Sequence, residues 1–307
     1  MKNDTMIKDI SEILNFRYIR KFLSKKWYGG QYPDNFSDYK KILQEPPAIY
    51  NHFKYVLHED FGIKINKQLK NKDVFCRIKN TRMLVKLTNK YPDNFGNLVI
   101  MGDDDGLSEE LDLLKSIKHR FKKIYYEAKD VKCDWVQTLP MGVIMPYMVR
   151  NGGNDILKHI NKQKSKTKLV GSAFGSKWPH LTDRIKDRAT LQAFTRDNDF
   201  VDDMFCKPTE YYENLCDYRF FACPLGAGIQ TPKICESIMC ETVPVVTDHV
   251  AHRELRDIYG LPLLIVNEWE DLTEQFLNDQ WDSVYSKIDW HEQKNKFLVK
   301  NSDKLLI

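Results

Sequence analysis

From Phe220 to Glu236 the chain reads FFACPLGAGIQTPKICE, and it continues into the apolar run Val243-Pro244-Val245-Val246-Thr247. That order constrains the fold more than any other stretch. An aromatic run, a glycine loop, a helix start and a second apolar run spell strand, loop, helix, strand, which predicts a parallel α/β layer. The loop opens at Pro224, and Gly226-Ala227-Gly228 lets backbone N–H groups approach a ligand that a side chain would block. Thr231 suits the N-cap of the following helix and Pro232 its first position. Free N–H groups and a positive dipole end then face the loop, which makes an anion site. Lys233 adds a full charge, and Glu236 follows one turn later. A nucleoside diphosphate needs that pairing, with a cation for phosphate and a carboxylate acceptor for ribose hydroxyls. The GxxxxGK[ST] and GxGxxG spacings are both absent, which argues against a P-loop and weakens a hydride-transfer reading.

With 307 residues, the chain is long enough for two domains. Strand-like and helix-like segments alternate from about Pro47, after a helical preamble with Ile7, Ile10, Ile13 and Leu14 at helical spacing. Strands are expected at 74–78, 97–101, 123–127, 135–139, 168–174 and 261–266. Helices are expected at 107–121, capped by Ser108, at 184–194 and at 211–215. The glycine- and lysine-rich segment 151–166 sets a boundary, giving domains 1–160 and 161–307. A helical tail from Trp269 is expected to pack back across the first domain.

Three further groups could carry chemistry. Gly171-Ser172-Ala173 ends a strand before a small-residue loop, with Arg184 and Arg188 one turn apart in the next helix. Arginines there suit bidentate phosphate binding, against the alternative of a plain loop with two surface arginines. Asp103-Asp104-Asp105 follows an apolar strand. One of these carboxylates could be a general base, Asp103 and Asp105 could hold a divalent metal, or the triplet could simply precede a helix. Asp248 and His249, with His252 and Arg253, follow the strand 243–247 as acceptor-side candidates.

Composition narrows the partners. The 47 basic residues nearly balance 43 acidic ones, so nucleic acid is not an expected partner. The lysines at 158–168 read as a solvated linker, and the basic cluster at 115–123 as solvated helix ends. Seven cysteines lack metal-ligand spacing and fit neither a disulfide framework nor a zinc site. No apolar run is long enough for a membrane span, so a soluble cytoplasmic protein is expected.

Taken together, these residues resemble the exostosin-like glycosyltransferases. Phe221-Ala222-Cys223-Pro224-Leu225-Gly226, Lys233-x-x-Glu236-Ser237, Glu241-Thr242-Val243-Pro244-Val245-Val246 and Leu261-Pro262-Leu263-Leu264-Ile265-Val266-x-x-Trp269 carry the likeness. Leu225 and Lys233 stand where the family more often has arginine. The resemblance implies a GT-B-like fold of two Rossmann-like domains, with parallel sheets facing a cleft. It implies an inverting enzyme that moves a sugar from a UDP- or GDP-sugar to a glycan hydroxyl, with no cofactor required and a metal not expected. The first domain would be acceptor-side and the second would bind the donor. The lysine- and asparagine-rich composition is similar to members encoded by large DNA viruses of algae, which implies xylose as a candidate sugar and a host cytoplasm as the place of action. Two alternatives stay open: a metal-dependent GT-A-type transferase using Asp103 and Asp105, and a non-catalytic nucleotide- or glycan-binding protein.

Overall fold

The computed structural model describes residues 55–58, 62–64, 70–77, 81–90, 94–101, 106–142, 165–173, 182–207, 210–226 and 228–297. Two sheets carry the fold. The first contains β1 (Tyr55–His58), β2 (Gly62–Lys64), β3 (Val74–Arg77), β4 (Leu98–Met101), β5 (Ile124–Tyr126) and β6 (Val136–Thr138). Their order is β2-β1-β3-β4-β5-β6, with β2 antiparallel at the edge and every other pair parallel. β4 is buried at all four positions, as a central parallel strand covered on both faces must be. From β1 onward the parallel strands advance across the sheet in one direction. Right-handed crossovers then send α1 (Thr81–Lys90) and α2 (Leu107–Ile117) to one face, where they pack together.

The second sheet is wound differently. It contains β7 (Lys168–Ser172), β8 (Val201–Asp203), β9 (Tyr218–Ala222), β10 (Val243–Thr247) and β11 (Leu264–Val266). All pairs are parallel in the order β8-β7-β9-β10-β11. The chain leaves β7 to lay β8 on one side, then returns to lay β9 on the other. Such a reversal makes a doubly wound sheet with a switch point between β7 and β9. The intervening helices are α3 (Thr182–Asp197), α4 (Tyr211–Leu215), α5 (Pro232–Met239) and α6 (Val250–Asp257).

Strand alternation decides which helices cover which face. Phe220 joins Val243, Val245, Leu191 and Phe194 in one core, whereas Phe221 joins Ile234, Ile238 and Leu255 in another. Each such phenylalanine stabilises the fold by about 2 kcal/mol through buried area. Gly171 is needed beneath them, because a Cβ there would stand 3.0 Å from the Phe221 ring and 3.1 Å from Tyr218.

Several expectations are corrected. Gly106, not Ser108, occupies the N-cap of α2, because both the N–H and the hydroxyl of Ser108 are turned to Asp130. Glu109 and Glu110 lie in its first turn. The helix ends at Ile117, and residues 118–120 form a 3-10 turn. Lys166 is no solvated linker residue. Its ammonium donates to the Cys216 and Cys240 carbonyls and to Thr242 Oγ1, at 2.8, 2.7 and 3.0 Å. Burial holds its pKa below the usual lysine value. All seven cysteines are free thiols. Of the remaining expectations, the preamble with Ile7 to Leu14 and the boundary residues 151–164 lie outside the described residues.

The tail contains α7 (Glu274–Ser283) and α8 (Trp290–Asn295). Trp281 and Tyr285 pack edge-on against Phe220, Lys294 pairs with Glu241 at 2.7 Å, and Lys296 donates to the Tyr259 carbonyl at 3.0 Å. These contacts fix the tail to elements of the second sheet, and residues 298–307, toward which a return to the first would continue, lie outside the described range. Among the described residues no helix is long and apolar enough to cross a membrane.

Candidate functional site

In an open doubly wound sheet, ligands bind beyond the carboxyl ends of the strands at the switch point. Here those ends belong to β7, which finishes at Ser172, and to β9, which runs into Cys223 and Pro224. Both groups picked out from the sequence as phosphate candidates therefore stand at one crevice. The loop that follows β9 is tightly folded. A Cβ on Gly226 would meet the carbonyls of Gly228 and Gln230 at 3.3 and 3.4 Å, so this glycine lets the loop close on itself. Thr231 takes the N-cap of α5 and Pro232 the first position, as expected. The threonine side chain makes no capping bond to the first turn.

Helix α3 is anchored to this loop by two adjacent side chains. Asp187 accepts from the Leu225 N–H at 2.7 Å and from Trp269 Nε1 at 2.9 Å. Its pKa is raised, foremost by burial, while these two donors and Thr247 favour the charged form. One carboxylate thus ties together the segment after β9, the end of β10 and the segment after β11. Arg188 Nε donates to the Leu225 carbonyl at 2.9 Å, so this arginine shapes the loop from behind. Arg184 lies one turn nearer the start of α3, close enough to lower the pKa of His249. Ser172 is buried, and its hydroxyl lies 3.3 Å from that of Thr195.

Lys233 and Glu236 point into a tyrosine pair. Lys233 Nζ lies 4.8 Å from the centre of the Tyr211 ring and 3.4 Å from its hydroxyl. Glu236 is only 2% exposed and accepts from Tyr212 at 3.2 Å. Burial raises its pKa, while Lys233 and the two tyrosines pull the other way. A ribose reaches this carboxylate only if the side chains over it move aside.

Asp248 and His249 open α6. Arg253 holds Asp248 through two 2.5 Å bonds and keeps its carboxyl below the usual range. His249 is the N-cap of α6, and its Nδ1 accepts from the Ala251 N–H at 3.2 Å. Burial lowers its pKa, and Asp130, from the first sheet's side, raises it. His252, one turn on, is 1% exposed. Its Nδ1 lies 2.7 Å from the Thr247 carbonyl, which makes Nδ1 the donor, and Nε2 has no hydrogen-bond partner. Burial pushes its pKa down to about 4.

The residue that joins the two sheets here had no signal in the sequence reading. Gln230, 3% exposed, donates from Nε2 to the carbonyls of Glu127 and Leu139 at 2.8 and 2.7 Å, and accepts from the Met141 N–H at 2.9 Å. These partners follow β5 and β6, so the glycine loop abuts the carboxyl ends of the first sheet. Helix α6 reinforces the junction. Glu254 accepts from Lys129 Nζ at 2.5 Å and from the Thr138 N–H at 2.7 Å, and Tyr259 donates to the Thr138 carbonyl at 2.6 Å. Asp103, Asp104, Asp105 and Ala227 lie outside the described residues. The triplet follows Met101, which ends β4 on the same edge of the first sheet.

No protein-family model matches the chain, and no curated protein does. Among the described residues no group of three or more His, Cys, Asp or Glu side chains is placed to hold a metal ion.

Proposed function

We propose that this chain is an inverting glycosyltransferase of the GT-B type, moving a sugar from a nucleoside-diphosphate sugar to a glycan hydroxyl. The observation that carries the reading is the switch point between β7 and β9. Strand order alone selects the carboxyl ends of those two strands, and the glycine loop and uncapped start of α5 lie there. On this reading the diphosphate sits against the Gly226–Gly228 loop and the first turn of α5, whose N–H groups and dipole stabilise the departing charge. Lys233 and Arg184 supply cationic help, Arg188 and Asp187 keep the loop in shape, and Glu236 receives the ribose. The acceptor enters from the first sheet's side, where Asp103, Asp104 or Asp105 takes the proton of the attacking hydroxyl. Attack opposite the leaving diphosphate inverts the configuration at the sugar carbon. His249 and Asp248 border the acceptor path. Xylose is one candidate sugar.

The test is transfer or hydrolysis with a panel of UDP- and GDP-sugars, comparing wild type with Glu236→Ala and Asp104→Ala. Glu236→Ala should raise the donor KM at least tenfold, on the order of 1.4 kcal/mol of lost binding. Failure of every nucleotide sugar to bind or react sinks the reading. Donor binding without transfer would instead mark a non-catalytic nucleotide-binding protein.

A further inference from the structure

A cavity of about 340 Å³ opens at the β8 edge of the second sheet, with Lys168, Asp202, Asp203, Phe205, Asn214 and Tyr218 in its lining. Its lining reaches Tyr218 at the start of β9, whereas the glycine loop leaves the other end of that strand, about 13 Å away at the usual strand rise.

Part of the cavity wall is locked in place. Lys168 Nζ donates to Asp202 at 2.9 Å and to the Tyr218 hydroxyl at 3.2 Å, and that hydroxyl donates to Asp202 at 3.0 Å. Asp203, at the end of the edge strand, is exposed, and Asn214 adds an amide that both donates and accepts. Phe205 is 98% exposed, in a tight turn closed by its N–H donating to the Asp203 carbonyl at 2.8 Å. Water gains nothing from a phenyl ring held there, but a ligand with one apolar face does.

The chemistry selects the guest. Carboxylates, an amide and a phenol set side by side match adjacent hydroxyls, and an open aromatic ring matches the C–H face of a pyranose. The excess of carboxylate repels an anion, and the fixed Lys168 ammonium counts against a cationic segment. We propose that this cavity is a saccharide-binding subsite holding a neutral stretch of the glycan acceptor, remote from the reacting hydroxyl. The choice of a glycan rests on the glycosyl-transfer reading. The separation from the loop favours oligosaccharides over single sugars.

The experiment measures binding of xylobiose, cellobiose, lactose and the corresponding tetrasaccharides to the full chain by calorimetry and saturation-transfer NMR. The comparison is with Phe205→Ala and Asp203→Asn, both surface changes that leave the cores intact. At least one neutral tetrasaccharide should bind. Each variant should weaken it about tenfold and leave UDP affinity within about twofold. The proposal is overturned if no neutral oligosaccharide binds wild type, if neither variant weakens binding, or if an oligolysine peptide is preferred. Saccharide binding that depends on Phe205 and Asp203, found in a chain that reacts with no nucleotide sugar, upholds the subsite and sinks the transfer reading instead.

Discussion

His252 shows how a single side chain can be pinned in one protonation state by its surroundings. Its Nδ1 is committed to the Thr247 carbonyl and its Nε2 is enclosed, so the folded protein holds it neutral, with a pKa of about 4 against 6.5 when exposed. The unfolded chain takes up a proton at a higher pH than the folded one. Stability from this site is therefore present above about pH 6.5 and is lost as pH falls toward 4. The difference is worth about 3 kcal/mol. Urea denaturation between pH 7.5 and 4 should show wild type losing more stability than His252→Asn, which keeps a donor for Thr247 but does not titrate. Parallel pH profiles for the two proteins would refute this account. The same residue shows what sequence can reveal. Its nearness to His249 marked it as worth weighing, but its burial depends on how α6 meets the glycine loop.

At the scale of elements, the β9–loop–α5–β10 unit was legible because its signals are local. Apolar runs, glycines and a Thr-Pro helix start each act within a few residues. Of the second sheet's strands, β7, β10 and β11 were placed within three residues and the edge strand β8 was missed, while α4 was placed at its observed bounds. Their lateral order was not legible, since strand pairing is decided by contacts across the sheet. Nor was the role of Asp187, an ordinary helical aspartate until Leu225 and Trp269 are folded against it. Asp187→Ala leaves the Leu225 N–H without its acceptor and the Trp269 indole with only the carbonyl of residue 187, 3.2 Å away, which should cost about 1–3 kcal/mol. It should also raise the donor KM more than it lowers kcat, because the loop is loosened while the reacting groups remain. Steady-state kinetics with denaturation curves check both parts, and a change below about 0.5 kcal/mol would show that α3 does not hold the loop.

For the whole molecule, the junction between the sheets rests on polar groups removed from water. Lys129 is 2% exposed and depends on Glu254 for its counter-charge. Glu254→Gln should destabilise the fold by about 3–5 kcal/mol by stranding that ammonium, and the double variant Lys129→Met/Glu254→Gln should recover part of the loss. A double variant no better than the single one would argue against the charge as the cause. Gln230 has a different consequence. Its side-chain NH2 is fully occupied by two carbonyls of the first sheet, although it belongs to the loop of the second. Those two protons can trade with deuterated solvent only when the sheets part, so their exchange rate is a built-in clock for how often the molecule opens.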